Sequence, residues 1–358
     1  MRNTKIALAV LALVASTAAM ADVKVGGSFD FGYGSAKAGT NAVGTIGGDF
    51  NGLSNISISG SEELEGGMKA GFNLVNTVNA GAALATAAGD NTGVIAQNVT
   101  LSGDFGGLMV GRGAIASFNA TCATDPAGCS NTGSAVSFIT AFRGATGTDR
   151  VAANVFESNL VQYSTPNVGG FSGQAGYVFG SNTTAATNSF GDKYALGATY
   201  ANGPITVSAG HYEQKSTTAS FTEQKNNTIG VAYDLGMATV KANYLKFNDP
   251  NSAAGTISDV KVMGLGVDTK LAERLSLNVA YYDASTNTST TNASVTRGGL
   301  TYSLSKNTSL YLNHVQANNK GGRVADAYGG LATAMGTVGN GVAGVTSTIT
   351  ALGVVHNF

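Results

Sequence analysis

Two cysteines, Cys122 and Cys129, stand in the run C-A-T-D-P-A-G-C. Thiols at this spacing can join as a disulfide around a small ring at Asp125-Pro126, or share a metal ion, although no histidine lies nearby to complete a metal set. The three histidines are His211, His314 and His356. Alternation along their strands points His211 and His356 toward an apolar outer face, a poor place for a general base. Serine and aspartate are so numerous that some Ser/His/Asp set arises by chance. One enzymatic reading survives, a lipase-like set on the outer face using His211 and a nearby serine. There is no G-x-x-x-x-G-K-[ST] loop, and the short Gly-x-Gly fragments fall in turns of a glycine-rich chain. Clustered acids of the kind a calcium site needs are also lacking. The chain is expected not to be an enzyme and to need neither cofactor nor metal.

The front of the chain sets the compartment. Met1 to Ala21 carries Arg2 and Lys5, an apolar run from Ile6 to Ala15, and Ala19-Met20-Ala21. A charged start, a short apolar core and an A-x-A end predict a secretory signal peptide cleaved after Ala21. The run is too short for a membrane-spanning helix, which takes roughly 20 residues. Loss of Arg2 and Lys5 moves the formal charge from −1 to about −3. That balance argues against a nucleic-acid partner. In an exported chain, Cys122 and Cys129 are expected to be oxidised to each other.

Composition narrows the class. Glycine accounts for 50 of 358 residues, proline for 4, and charged residues for only 11%, against about 25% in soluble domains. Beyond residue 21 no apolar run could span a bilayer as a helix, yet apolar residues recur at every second position. Val25, Gly27, Phe29, Phe31 and Tyr33 share one face of a first strand, with Lys24, Gly26, Ser28 and Asp30 on the other. Met68, Ala70, Phe72 and Leu74 alternate with Lys69, Gly71 and Asn73. The pattern continues through Phe171–Phe179, Tyr194–Tyr200 and Leu300–Leu304. It closes in Ser347–Phe358, where a final strand ends on an aromatic. Period-2 alternation with apolar residues outside and polar residues inside is the signature of a transmembrane β-barrel. Such a final strand must pair with the first, or it leaves an open edge.

Short turns are expected at Glu62–Gly67, Gly103–Gly107, Thr165–Gly170, Ala201–Pro204, Asp234–Ala238, Thr269–Arg274 and Ser303–Thr308. Longer loops are expected at Ala36–Gly48, Ser181–Ser189 and Thr286–Asn292. Short turns alternating with long loops give the barrel two different ends. The prediction is an all-β, transmembrane antiparallel barrel of about 16 strands, one domain over residues 22–358. Gly113 to Val155 shows no clean strand, and an insert of roughly 40 residues is long enough to imply a function. It holds both cysteines, with Phe138, Phe142, Arg143, Asp149 and Arg150 close behind.

Several short runs stand out in order along the chain: Gly60-Ser61-Glu62-Glu63-Leu64-Glu65-Gly66-Gly67-Met68-Lys69-Ala70, Leu101–Gly106, Val110-Gly111-Arg112, Val161–Pro166 with Gly169-Gly170-Phe171, Tyr302–Thr308 and His356-Asn357-Phe358. By these runs the chain resembles the general, trimeric porins of Gram-negative outer membranes, of the Neisseria and Burkholderia type. The likeness spans nearly the whole mature chain. The resemblance implies a sixteen-stranded homotrimer in the outer membrane, in contact with its lipid. It would pass ions and small hydrophilic solutes by passive diffusion. The third long loop, Gly113–Val155 here, would fold inward and narrow the channel. Phe358 would match the signal read by the outer-membrane assembly machinery.

Such porins often set inward arginines across from acids on the inserted loop, and the field between them favours one ion sign. This sequence departs from that pattern. Alternation turns Gln162 inward where relatives often carry arginine, and no Lys or Arg occurs between Lys69 and Arg112. The remaining candidates for the constriction are Lys69, Arg112, Arg143, Arg150 and Arg297, with Asp125, Asp149 and Glu157 as opposing acids. The expectation is a wide pore of weak charge selectivity. The alternatives are a plugged structural or adhesive barrel and a secreted soluble β-sandwich.

Overall fold

The computed structural model of the protein describes residues 22–78, 93–142, 155–180, 192–215, 223–248, 258–288, 291–321 and 344–358. The expected signal peptide and the Ser181–Ser189 loop lie outside the described residues. The strands are β1 (Lys24–Ala38), β2 (Asn41–Gly48), β3 (Asn55–Glu63), β4 (Lys69–Thr77), β5 (Val94–Gly103), β6 (Gly106–Ala114), β7 (Phe156–Ser164), β8 (Phe171–Val178) and β9 (Lys193–Asn202). They continue as β10 (Ile205–Gln214), β11 (Gln224–Asp234), β12 (Ala238–Asn248), β13 (Asp259–Ala272), β14 (Leu275–Thr286), β15 (Ala293–Ser303), β16 (Thr308–Asn319) and β17 (Thr346–Asn357). Two helices, α1 (Ala116–Thr124) and α2 (Val136–Phe142), lie between β6 and β7.

All neighbours pair antiparallel, and β17 pairs with β1 from Ser28↔Asn357 to Ala38↔Ser347, which closes the wall. The sheet therefore has no free edge to satisfy. β1 also pairs with β2 along its upper half and with β3 along its lower half. β2 and β3 thus share one place in the wall, and the barrel has sixteen places. Among the described residues no helix is long and apolar enough to cross a membrane. The wall crosses instead, with Phe31, Tyr33, Leu196, Ile229, Met263, Leu265 and Leu352 exposed on its outside.

The break between β2 and β3 has a local cause. Asp49 takes a left-handed φ of 68°, which turns the chain out of the ladder. The buried carboxylate of Asp30 then accepts the amides of Asn51 and Gly52 at 2.6 and 2.9 Å, and Asp49 accepts that of Ser54 at 2.5 Å. Residues 49–54 so form a knot on the inner side of β1.

Two expectations need correction. The loop expected at Ala36–Gly48 is a hairpin: β1 runs on to Ala38, turns at Gly39 (φ 59°) and returns as β2. Most of its residues are Ala, Gly, Thr and Asn, and Lys37, Val43 and Ile46 are too few and too widely spaced to display an alternation. Nor is the inner face polar throughout. Toward the long-loop end of β12–β17 it is apolar, with Leu245, Phe247, Val260, Val262, Val295 and Ile349 buried. These residues pack with Ala135, Phe138 and Ile139 from the segment between β6 and β7. A second apolar surface inside the barrel is needed because that segment supplies a core to bury.

Candidate channel constriction

The segment between β6 and β7 begins with α1, which lies on the inner wall along a track of glycines. A Cβ built on Gly197, Gly210, Gly230 or Gly266 would come within 3.0 Å of Ala116, Ser117, Thr124 or Pro126 respectively. Only hydrogen at those four positions lets the helix, and the turn at Pro126 after it, lie so close. The faces meet through small residues, with Ala116, Ser117, Ala120, Thr121 and Thr124 buried. Thr124 shares a hydrogen bond of 2.7 Å with Ser208 on β10. The helix stops at Asp125, which is extended at φ −62°, ψ 128°, as a residue before proline prefers.

Asp125 is completely buried. It accepts hydrogen bonds from the Cys129 amide (2.7 Å), the Tyr282 hydroxyl (2.9 Å), Asn243 Nδ2 (3.1 Å) and the Ala135 amide (3.2 Å). Burial pushes its carboxyl above the usual carboxylate range, against the pull of those donors. Arg297 on β15 grips the next stretch. Its Nη1 donates to Ser130 Oγ and Thr132 Oγ1, both at 2.9 Å, and also to the Thr132 carbonyl. Its Nε and Nη2 reach Asn278 and Asn313. The 49–54 knot completes the seat. Ser130 and Asn131 bond to the Asn51 carbonyl, Thr132 to that of Phe50, and Asn131 Nδ2 to that of Asp49. Burial likewise raises the Asp49 carboxyl.

Cys122 and Cys129 are joined, with their Cα atoms 5.3 Å apart. The bridge ties the end of α1 to the turn after Pro126. Both cysteines are half-buried, and Asn119, Ala123 and Gly128 are exposed beside them. The described part of the segment turns no charged side chain outward from its seat, because Asp125 is its only ionisable group and lies beneath.

The other charges expected at the constriction sit as follows. Glu157 on β7 is buried against Lys193 of β9 at 2.7 Å and takes a hydrogen bond from Tyr212 at 2.8 Å. Lys69 pairs with exposed Glu63 at the short-turn rim, 2.7 Å away. Arg112 follows a register irregularity between Gly111 and Gly113 and stands opposite exposed Gln97. Its Nε donates to the Val94 carbonyl and its Nη1 to Ser158 Oγ. Gln162 is buried on the inner wall, with Nε2 3.4 Å from the Ala114 carbonyl. Arg143, Asp149 and Arg150 lie outside the described residues. The structure therefore groups Asp125 with Arg297 around one seat, and places Glu157, Lys69 and Arg112 in three other settings.

Sequence reasoning missed Thr132, Tyr282, Lys193 and the glycine track. Lys193 and Tyr282 follow the same alternation that turns Glu157 and Arg297 inward, so that signal was present. Nothing in the sequence distinguishes the four track glycines from the remaining ones.

A family model described as "Gram-negative porin" matches residues 7–322. Outer membrane porin protein 32 of Delftia acidovorans is 28% identical over 370 residues, covering 100% of both chains. Among solved structures, an anion-selective porin from Comamonas acidovorans superimposes with a TM-score of 0.78 at 24% identity, covering 95% of this chain and 100% of that one. The trimer form of OmpT from Vibrio cholerae gives 0.62 at 14% identity, over 94% and 99%. The closed sixteen-place barrel and the match along most of the chain lead to one conclusion: this protein belongs to the Gram-negative porins and resides in the outer membrane.

Proposed function

We propose that the barrel is a water-filled channel for passive diffusion of ions and small hydrophilic solutes, with weak charge selectivity, acting as a homotrimer. One observation carries the selectivity reading: of the described charges of the expected constriction, Asp125, Glu157, Arg112 and Arg297 are engaged in hydrogen bonds or ion pairs of the wall and inserted segment, and Lys69 lies out at the rim. Arg297 and Asp125 bind the inserted segment, and Glu157 is closed on Lys193. Charges so engaged contribute little net field across a water-filled lumen. This departs from the Comamonas neighbour, whose description is anion-selective. The trimer reading draws on the trimer form of the Vibrio neighbour. Residues 113–155 act as the constriction.

Phe358 acts as the assembly signal. Its ring stacks on Phe29 at 5.4 Å, its backbone bonds twice to Gly27, and it stays half exposed on the outer face. In planar bilayers the detergent-purified protein is expected to conduct in steps that close in threes. A folded, silent barrel would instead favour the plugged, structural reading.

A further inference from the structure

One part of the inner wall is lined mainly by uncharged polar side chains and glycine, with Lys69 at its rim end and Met109 within it. Residues paired across β4–β9 form a row on the inside: Lys69↔Ser102, Ser102↔Gly107, Gly107↔Ser164, Ser164↔Gln174 and Gln174↔Gly197. The row starts at the rim ion pair and ends under α1, because Gly197 carries Ala116. Above it runs a second row, Thr100↔Met109, Met109↔Gln162 and Gln162↔Gly176. Gly107 leaves the floor beside Ser164 bare, since a Cβ there would meet nothing nearer than 3.9 Å, whereas Gly176 is covered by the side chains of Gln162 and Leu160. From the inserted segment, exposed Asn119 reaches across and donates to Gln174 Oε1 at 2.9 Å. Gln174 Nε2 in turn donates to Ser164 Oγ at 3.2 Å. Gln162 is 5% exposed and its Oε1 has no hydrogen-bond donor among the described residues.

We infer that Asn119, Gln174 and Ser164, with Gln162 beside them, form a subsite for uncharged, hydroxyl-rich solutes, that is, saccharides and polyols. The inference rests on the channel reading above and names the solute class that channel favours. A sugar hydroxyl is both donor and acceptor, and a linked set of amides and hydroxyls presents both. Carboxylates and ammonium groups would present only one. Asn119 keeps its carbonyl, Gln174 an N–H and Ser164 its hydroxyl proton for the solute. The bare glycine floor gives a sugar ring room to lie against the wall. Phosphorylated or carboxylated solutes find no described cation at this place to offset their desolvation.

The test uses the full mature chain in planar bilayers. Maltotriose is titrated into one chamber and the blocking noise of the ion current is recorded. A polyethylene glycol of equal hydrodynamic size serves as the steric reference, and glucose against glucose 6-phosphate supplies a flux ratio in liposomes. Maltotriose is expected to produce saturable block well beyond the polymer's, and glucose to outrun glucose 6-phosphate. Asn119→Ala, on an exposed helix face, and Gln174→Ala are each expected to weaken the block about three- to tenfold, the loss of one hydrogen bond. Folding of each variant is checked by heat-modifiable migration. Saccharide block equal to the polymer's, or unchanged in both variants, overturns the subsite and leaves the channel reading intact. Absence of any conductance overturns both.

Discussion

The guanidinium of Arg297, on the wall where the inserted segment is seated, closes on Thr132, with Nη1 2.9 Å from the threonine hydroxyl and in contact with its carbonyl. A charge that a porin could have placed in the aqueous path instead fastens the inserted segment to the wall. Exchanging Arg297 for methionine leaves Ser130, Thr132, Asn278 and Asn313 without their donor. The expected cost is about 2–4 kcal/mol of local stability. It is checked as earlier proteolysis within residues 113–155 and noisier open-channel current, with the heat modification of the barrel nearly unchanged.

The bridge between Cys122 and Cys129 closes a loop of sequence separation 7. Closing so short a loop stabilises by roughly 2–3 kcal/mol in the chain-entropy account. The double Ser variant is expected to assemble and conduct, because α1 keeps its glycine seat. Hydrogen exchange in residues 116–135 should rise, and reductant should reproduce that effect in the native protein alone.

Gly210 and Gly230 allow α1 to lie flat on β10 and β11. Valine at either position would meet Ser117 or Thr124 and force the helix toward the lumen. Single-channel conductance is expected to fall. Gly298→Ala, where an added Cβ meets nothing within 4 Å, should leave conductance as it is.

Asp125 sets a pH dependence of definite sign. Its folded pKa is raised by burial. Its contribution to stability is therefore fully present below the unfolded value and is lost as pH rises through the raised one. Asp49 acts in the same direction. From the ordinary carboxylate range upward, stability of the inserted segment is expected to fall as pH rises through the raised values. Asp125→Asn, which mimics the protonated acid, should flatten that slope without abolishing it. Hydrogen exchange of residues 116–135 against pH reads both effects.

Much of this barrel was legible in the sequence because lipid on one side and water on the other impose a period of two. Phe29, Phe31 and Tyr33 against Ser28 and Asp30 show it, and so do the short turns. Legibility failed where that contrast failed. Ala36–Gly48 has mostly small side chains, with only Lys37, Val43 and Ile46 among them, so a hairpin looked like a loop. In β13, Val260 and Val262 face inward while Met263 and Leu265 face outward. Apolar residues on both faces hid the inner core that receives Phe138. Site residues were harder still. Alternation could turn Arg297 and Glu157 inward, but could not say that Thr132 and Lys193 would meet them. Those contacts join positions more than a hundred residues apart, or across β-strands whose register the sequence does not state.

We propose that the described charges facing this channel are largely engaged within the wall and the inserted segment and leave the ion path nearly neutral. The reversal potential of single channels under a tenfold potassium chloride gradient at neutral pH reads that neutrality. A value within about 10 mV of zero, which corresponds to nearly equal anion and cation permeability, is the predicted result. A strongly anion-selective potential would contradict the account and assign the field to Arg143 and Arg150.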